Sequence, residues 1–189
     1  MSAAYCRIAP GHPVHSRYHD AEYGFPTSEE SVLFERLVLE INQAGLSWLT
    51  ILKKRDAFRA AFADFAVDRV AAFGPADIDR LLADSGIIRN RLKVEAAIEN
   101  ARRIQALRVS HGSFVGWLDT HHPQSPQEWT RLFRHTFRFT GGEIVNEFLM
   151  SVGYLTGAHE GDCPVFARIL ALSPPWARAI EAPSASVRV

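Results

Sequence analysis

Hydrophobic residues recur along this chain at intervals of three and four positions, the spacing that places them on one face of an α-helix. The clearest repeat runs from Phe34 to Ile41, and Thr27 with Glu30 before it resembles a capping box. No run of β-branched and aromatic residues alternates with polar residues up to a hairpin turn. The pattern therefore predicts an all-α fold.

Glycine and proline divide the rest of the helical spacing into segments. One predicted helix starts near Ser47 and includes Phe58. The others cover residues 67–73, 76–83, 92–107, 114–118, 127–134 and 143–152. We interpret residues 1–189 as a single unit with a helical core at about 27–155. Two end segments, 1–26 and 156–170, flank that core, and a tail covers 171–189. The part of the tail at 182–186 is expected to fray.

Composition narrows the class of protein. The 189 residues, 47% of them hydrophobic, suffice for a substantial core. The 21 basic and 21 acidic residues cancel, which argues against a protein held on nucleic acid by its overall charge but allows a local basic patch. The sequence lacks the roughly 18 consecutive apolar residues of a membrane span, and its first residues lack a secretory signal. We therefore expect a cytoplasmic, monomeric protein that does not contact membranes.

Two cysteines and two histidines form a candidate metal site. His159 and Cys163 are four residues apart, so one helical turn or a tight loop could bring both to one ion. Cys6 and His19 lie near the other end of the chain. Together the four residues make the Cys2His2 set of structural zinc sites, and a shared ion would join the two ends of the domain.

The spacing of these residues leaves alternatives open, because neither of the usual Cys-Cys and His-His zinc pairs occurs. Cys6 and Cys163 could form a disulfide, although a cytosolic chain keeps its thiols reduced. They could equally be two unrelated buried thiols. His12 and His15 are competing candidate ligands.

Three sequence segments are specific enough to suggest a family. They are residues 18–26 (YHDAEYGFP), residues 33–58, which begin LFERLVLEINQAGLSW, and residues 86–93 (GIIRNRLK) with Asn100 and Ala101. They are similar to the motifs YHDxEWGxP, LFExLxLExxQAGLSWxxxLxKRxxF and GIIRxxxKIxAxxxNA of the DNA-3-methyladenine glycosylase I family. A weaker match covers 137–153 and extends to His159 and Cys163. The resemblance spans about residues 6–163 and implies the helical fold of the helix-hairpin-helix glycosylase superfamily.

The resemblance also implies an activity and a metal. The activity is monofunctional base-excision repair, in which the enzyme flips 3-methyladenine out of alkylated double-stranded DNA and hydrolyses its N-glycosidic bond. Such a protein would associate with the nucleoid when it acts. One structural Zn²⁺ would be held by ligands that align with Cys6, His19, His159 and Cys163, in the two end segments.

Roles in the base pocket follow from the same resemblance. Glu40 is the candidate catalytic residue, because its carboxylate could accept hydrogen bonds from the exocyclic amine and favour a cationic base. Trp48 is the candidate stacking wall, since an indole face attracts a cation. Tyr18 would add a hydroxyl hydrogen bond and Tyr23 a second aromatic surface.

Several further residues are candidates for contacts with DNA. Gly45 and Leu46, between two helices, would supply a small apolar plug for the vacated stack. Gly141 and Gly142 precede a helix whose backbone N–H groups could hold a phosphate. The candidate basic contacts are Lys53, Lys54, Arg55, Arg89, Arg91 and Lys93.

The chain also departs from the family pattern. Tyr23 and Ile8 stand where the family usually has Trp, Glu143 follows Gly142 where Thr or Ser is usual, and Asn146 replaces an aromatic residue. Two other functions are therefore kept. One is a non-catalytic or altered-specificity DNA-binding paralogue of the same fold. The other is a metal-dependent phosphohydrolase, suggested by His19-Asp20, which would need further ligands around an open metal site.

Overall fold

A computed structural model of the protein describes residues 5–181, and this part of the chain contains α-helices and no strand. One 3-10 turn lies at Ala63–Phe65. The helices are α1 (Tyr5–Ile8), α2 (His15–Ala21), α3 (Glu30–Gln43), α4 (Trp48–Ala61), α5 (Val67–Ala71), α6 (Pro75–Ala83), α7 (Arg91–His111), α8 (Phe114–His121), α9 (Pro126–Thr136), α10 (Gly142–Ser151), α11 (Pro164–Leu170) and α12 (Pro175–Glu181). None of them is long and apolar enough to cross a membrane.

Every helix expected from hydrophobic spacing is present, which confirms the predicted all-α class. The prediction also placed the start of α4 correctly, because the Ser47 side chain caps it by accepting a hydrogen bond from the backbone N–H of Thr50. The capping box at Thr27 was wrong. Glu29 is the N-cap of α3 and has no side-chain cap, while the Thr27 hydroxyl accepts from the Glu29 N–H outside the helix.

Four helices were not predicted: α1, α2, α11 and α12. Each has seven residues or fewer, so it offers too few turns for a hydrophobic repeat to be recognised. These helices are stabilised by packing rather than by their own sequence. The predicted fraying at 182–186 lies outside the described residues.

Helix α3 is the centre of the molecule. All residues from Leu33 to Asn42 are buried, and the helix packs against α4, α7, α8 and α10. A helix enclosed on all sides must bury its polar residues as well, and each of these then needs a partner. The polar residues of this stretch are Glu35, Arg36, Glu40 and Asn42.

Most of these buried polar groups are paired inside the protein. Glu35 accepts hydrogen bonds from Arg55 at 2.8 Å and from Arg59 at 2.7 Å, and Arg55 also donates to Glu22. Arg36 donates to the carbonyl oxygen of Ser151. These pairs fasten α3 to α4 and α10. Glu40 differs from them, as described below.

Hydrophobic contacts connect the two ends of the chain to the centre. The main buried cluster includes Tyr5 at one end and Tyr154 at the other. A smaller cluster contains Cys163, Val165 and Ile169, with Cys6 packed against it. The predicted end segments therefore meet beside the helical core, which places His159 and Cys163 next to α1 and α2.

Candidate functional site

A cavity of about 300 Å³ opens between the C-terminal end of α3 and the first turns of α10. Its volume is at the lower limit of the range of about 300–1,000 Å³ usual for small-molecule pockets. Glu40 forms its floor, because this side chain is only 2% exposed whereas residues at the mouth are open to solvent. The other lining residues are Gln43, Ala44, Gly45, Leu46, Glu143, Ile144 and Glu147.

Glu40 is the chemically unusual residue of this cavity. Its Oε1 atom is buried and has no hydrogen-bond partner among the described residues. Burial raises the pKa of this carboxyl group from about 4.5 to about 8, although the positive charge of Arg36 acts in the opposite direction. The structure thus excludes an ordinary solvated surface glutamate. A buried acceptor without a partner is costly, and it is suited to a ligand that brings a donor or a positive charge.

Aromatic side chains pack together near Glu40, whose charge acts on the hydroxyl groups of Tyr18 and Tyr23. The ring centroids of Tyr18 and Trp48 are 5.1 Å apart, and those of Tyr18 and Tyr23 are 5.7 Å apart. The Tyr18 hydroxyl is buried without a hydrogen-bond partner among the described residues. Burial first, and the nearby charge of Glu40 second, raise the pKa of this hydroxyl well above its ordinary value, so it stays a neutral donor.

Trp48 is buried and does not form a wall of the open cavity. It is 6% exposed, packs against Tyr18, and does not line the 300 Å³ space. Tyr18 and Tyr23 are likewise buried. The structure brings these three residues together near Glu40, as the sequence predicted, but in the described conformation their rings contact one another.

The hydroxyl group of Tyr23, which a tryptophan at this position would lack, forms a hydrogen bond. The phenol donates a 3.0 Å hydrogen bond to Oε2 of Glu147, which lines the cavity. Neither Glu147 nor Tyr5, whose ring lies 5.8 Å from that of Tyr23, was among the residues predicted from the sequence. The spacing of the chain gives no signal for either, since Tyr23 and Glu147 are 124 positions apart.

The predicted DNA plug lies at the mouth of the cavity. Leu46 is 42% exposed, and Gly45 has a positive φ of 84°, a conformation that favours glycine. Lys93 holds this turn from below by donating to the carbonyl oxygens of Asn42 and Ala44 at 3.0 and 2.8 Å. The turn therefore presents an apolar side chain on a fixed backbone.

The predicted phosphate-binding turn lies on the other side of the mouth. Gly141 is the N-cap of α10 and Gly142 is its first residue, so the first N–H groups of this helix have no partner within it. Phe139, in the same turn, is 40% exposed. Glu143 is also exposed here and places a negative charge beside the helix terminus.

The basic residues proposed for phosphate contact divide into two groups. Lys53 and Arg89 are exposed and available for such a role. Arg55 and Lys93 were wrong predictions, because both are buried and donate to partners inside the protein. Their side chains stabilise the fold at places where the sequence showed only positive charge.

Partners within the protein also occupy two of the other basic residues. Lys54 donates to the carbonyl oxygens of Ser85 and Gly86, and Arg91 pairs with Glu95.

The predicted metal ligands converge on one point. The ligand atoms of Cys6, His19, His159 and Cys163 all lie within 4.8 Å of one another. Nδ1 of His159 is 3.6 Å from the Cys6 sulfur and 3.5 Å from the Cys163 sulfur, and Nε2 of His19 is 3.8 Å from the Cys163 sulfur. Two ligands bound tetrahedrally at zinc distances would be about 3.5 Å apart, so the arrangement fits such an ion.

Hydrogen bonds orient both histidines for metal binding. Nδ1–H of His19 donates to Asp20 at 2.6 Å, and Nε2–H of His159 donates to the Tyr23 carbonyl at 2.8 Å. In each ring the nitrogen that faces the cysteines is therefore the one without a proton, which a metal ligand requires. Asp20 supports a ligand here and is not one itself.

The structure distinguishes between the alternatives for the two cysteines and for His12 and His15. Both cysteines are free thiols, so they form no disulfide. His12 and His15 lie outside the ligand group. Nδ1 of His12 accepts from backbone N–H groups, and Nδ1 of His15 is 3.3 Å from the Tyr5 hydroxyl.

Elsewhere on the described part of the chain, a cavity of about 310 Å³ beside Asp119 is similar in size, and two others are clearly larger. One, of about 630 Å³, borders the metal cluster, and the other, of about 470 Å³, lies between α6 and α7. Neither is lined by a buried carboxyl group, whereas the cavity at Glu40 is. The chemistry of the lining, rather than the volume, therefore identifies the candidate site.

Comparisons with known proteins agree on one group. A sequence model described as methyladenine glycosylase matches residues 8–167. The DNA-3-methyladenine glycosylase 1 of Escherichia coli (strain K12) is 36% identical over 170 residues, covering 80% of this chain and 91% of that protein. The DNA-3-methyladenine glycosylase of Haemophilus influenzae is 34% identical over 166 residues, covering 78% and 89%. A solved structure of the Staphylococcus aureus 3-methyladenine DNA glycosylase I superposes with a TM-score of 0.76 at 33% identity, covering 87% and 97%.

Proposed function

Since the chain belongs to the methyladenine glycosylase family, we propose that it is a DNA repair enzyme that hydrolyses the N-glycosidic bond of 3-methyladenine in alkylated DNA. The observation that carries this proposal is the buried Oε1 of Glu40 at the floor of the cavity, which has no hydrogen-bond partner among the residues that the structure describes. The aromatic residues Tyr18, Tyr23 and Trp48 pack against one another near it. A flat, positively charged base would satisfy both features.

Recognition depends on charge. A purine alkylated at N3 is cationic while it is attached to the sugar, whereas normal bases are neutral. A cationic base would counter the effect of burial on the pKa of Glu40, so that its carboxylate form would accept hydrogen bonds from the exocyclic amine and offset the positive charge, and Tyr18 would donate from its hydroxyl. An electron-rich ring such as Trp48 adds a cation–π attraction of about 0.5–2 kcal/mol that a normal base lacks. Entry of the base requires the rings to separate from their contacts in the free protein.

The base must leave the duplex to reach this pocket, so we include base flipping in the proposal. Leu46 is exposed at the cavity mouth on a turn held by Lys93, where it could fill the gap left in the stack. The N–H groups at the start of α10, next to Gly141 and Gly142, could hold a phosphate. Lys53 and Arg89 would supply further phosphate contacts. The turn and helix would then act as the hairpin of a helix-hairpin-helix protein.

The reaction itself demands little of the protein. Water adds its oxygen to the anomeric carbon, the carbon–nitrogen bond breaks, and its electron pair goes to the base, which departs neutral. The water loses a proton and leaves a hydroxyl group on the sugar. Throughout these steps the positive charge moves from the base to the sugar and stays near Glu40, whose carboxylate stabilises it. No lysine adduct is involved, so the DNA strand stays intact.

We assign a structural role to the metal cluster. Two cysteines and two histidines make a closed set with no position for substrate, and Cys6, His19, His159 and Cys163 would hold one zinc ion that joins the ends of the chain. A phosphohydrolase would need an open site with further ligands, and no carboxylate belongs to this group. The enzyme would act as a monomer on duplex DNA.

The decisive experiment is a single-turnover assay with the full chain and duplex DNA that contains 3-methyladenine. Release of the free base, with an intact strand before alkali treatment, is the expected result. Retained DNA binding without base release would instead identify a non-catalytic paralogue. Activity that disappears immediately on chelation, while the fold persists, would support a metal-dependent hydrolase.

A further inference from the structure

An exposed aromatic ring lies beside the turn that carries Leu46. Phe139 is 40% exposed, and within the part of the chain that the structure describes it is the only aromatic residue among the exposed large hydrophobic side chains. Nζ of Lys93 lies 5.9 Å from the centre of this ring. The same ammonium group donates to the carbonyl oxygens of Asn42 and Ala44, at the start of the turn with Leu46. One side chain therefore contacts both turns.

Phe139 has a backbone conformation that its neighbours must enforce. Its φ is 61°, in the left-handed region that bulky residues rarely adopt. Such residues persist only where the surrounding structure holds them, and they cluster at functional sites. The buried Asn100 amide donates to the Arg138 carbonyl at 3.1 Å and accepts from the Arg138 N–H at 2.7 Å. Arg103 donates to the Thr136 carbonyl at 2.7 Å.

Helix α7 fixes both exposed apolar side chains. Lys93 and Asn100 are two helical turns apart on the same face of this helix, and each holds one of the two turns. Both residues belong to the third sequence motif, for which the base pocket gives no role. A rigid helix that sets the positions of Leu46 and Phe139 is suited to a target that is itself rigid and apolar.

The surroundings of the ring favour nucleic acid as this target. Arg138, the preceding residue, is exposed, and Lys93 lies against the ring, so positive charge adjoins it. Phosphates would pair with the exposed arginine, and bases stack on aromatic side chains whatever their sequence. A flipped nucleotide leaves a gap lined by the flat, apolar faces of the neighbouring bases. A leucine side chain covers only part of such a face.

We propose that Phe139 is a second wedge residue, which inserts beside Leu46 into the base stack of duplex DNA where a nucleotide has been flipped out. This inference rests on the proposed function, because it assumes that the cavity at Glu40 receives a base from a duplex. Leu46 fills the gap left by that base, and Phe139 stacks on an adjacent base.

The test uses a duplex with a tetrahydrofuran abasic site, which leaves a gap in the stack and requires no excision. 2-Aminopurine, whose fluorescence rises when it is unstacked, is placed in turn at each position that flanks the gap on either strand. Fluorescence anisotropy gives the dissociation constants for the abasic duplex and for an undamaged one. Phe139→Ala is compared with Leu170→Ala, which truncates another exposed apolar residue, 45% exposed and outside the cavity.

We expect Phe139→Ala to abolish the rise in 2-aminopurine fluorescence at one flanking position and to weaken the abasic complex about tenfold, with little change for undamaged DNA. Leu170→Ala should match the wild type. Wild-type fluorescence at every position, or equal weakening of both complexes, would overturn the inference, because the ring would then lie outside the stack. If Phe139→Ala does not fold, Phe139→Asn replaces it with the same deciding outcomes, since asparagine tolerates a positive φ.

Failure of the proposed function would look different. In that case the wild-type protein would release no 3-methyladenine and would bind the abasic duplex no more tightly than undamaged DNA. A wild-type protein that excises the base and prefers the abasic duplex, with no effect of Phe139→Ala, would leave the function intact and remove only the role of Phe139.

Discussion

The backbone carbonyl of Tyr23 accepts a 2.8 Å hydrogen bond from Nε2 of His159. This bond connects the proposed metal cluster to the proposed base cavity, because the Tyr23 hydroxyl donates to Glu147, which lines that cavity. A ligand histidine needs such a partner to fix its orientation, and here the partner is a residue of the pocket. Order in the cluster and order in the pocket are therefore coupled.

The cluster can be tested by replacing one ligand. Cys163→Ser is expected to lose zinc and to destabilise the protein by several kcal/mol, because the ion joins distant parts of the chain. Zinc content by mass spectrometry and the melting temperature check this. His12→Asn serves as the control, since His12 lies outside the ligand group and should leave the zinc content unchanged. Wild-type zinc content and melting in Cys163→Ser would contradict the ligand assignment.

Glu40 should be essential for excision. Glu40→Gln is expected to lower the single-turnover rate on 3-methyladenine about 100-fold, the usual effect of removing one preorganised electrostatic group. Binding of a duplex with a tetrahydrofuran abasic site should change little, because that duplex places no base against Glu40. A Glu40→Gln protein that excises at the wild-type rate would show that the site has been assigned incorrectly.

The same substitution should have a pH-dependent effect on stability. Burial raises the pKa of Glu40 to about 8 in the folded protein, against about 4.5 when it is exposed. Between these values the native state binds more protons than the unfolded state, so the contribution of Glu40 to stability declines as the pH rises from 4.5 to 8.

Glu40→Gln removes this dependence. Its melting temperature relative to wild type should therefore be higher at pH 8.5 than at pH 5, with a difference in unfolding free energy on the order of a few kcal/mol. Thermal melts of both proteins across this range provide the measurement, and other titrating groups cancel in the comparison. A constant difference across the range would show that the carboxyl group titrates normally.

The proposed plug, Leu46, can be tested independently of the base pocket by comparing double-stranded with single-stranded DNA. Leu46→Ala is expected to lower excision from duplex DNA about tenfold, while excision from single-stranded DNA stays unchanged because no stack must be filled. Leu46 is 42% exposed, so its loss should not lower the melting temperature. Leu172→Ala, which truncates another exposed leucine outside the cavity, is the matched control. Equal losses on both DNA forms would exclude a plug at this position.

Local patterns correctly anticipated the longer helices, and the four candidate metal ligands that the family resemblance implied lie together in the structure. Helices α3, α4 and α7 repeat their hydrophobic residues over several turns, and Ser47 marks the start of α4. The short helices at the two ends carry no such repeat, and they form because packing against the rest of the protein holds them. Sequence motifs also singled out Glu40, but they did not show whether it was buried.

The sequence did not show which of two residues with the same charge is buried and which is exposed. Arg55 and Lys93 have the same charge as Lys53 and Arg89, yet the first two are enclosed and the others are exposed. The sequence around a charged residue does not reveal its partner. Arg55, for example, pairs with residues 20 and 33 positions away.

The sequence by itself determined the helical class, the set of two cysteines and two histidines, and the family whose motifs include Glu40 and Trp48. Helical period and short motifs are local properties, and the chain encodes them directly. Only the tertiary structure decided that Glu40 is buried without a hydrogen-bond partner among residues 5–181, and that Tyr23 donates to Glu147 in the lining of the same cavity. Those relationships arise from packing between α3, α10 and the segment after α2, because contacts between residues more than 100 positions apart depend on how the helices meet.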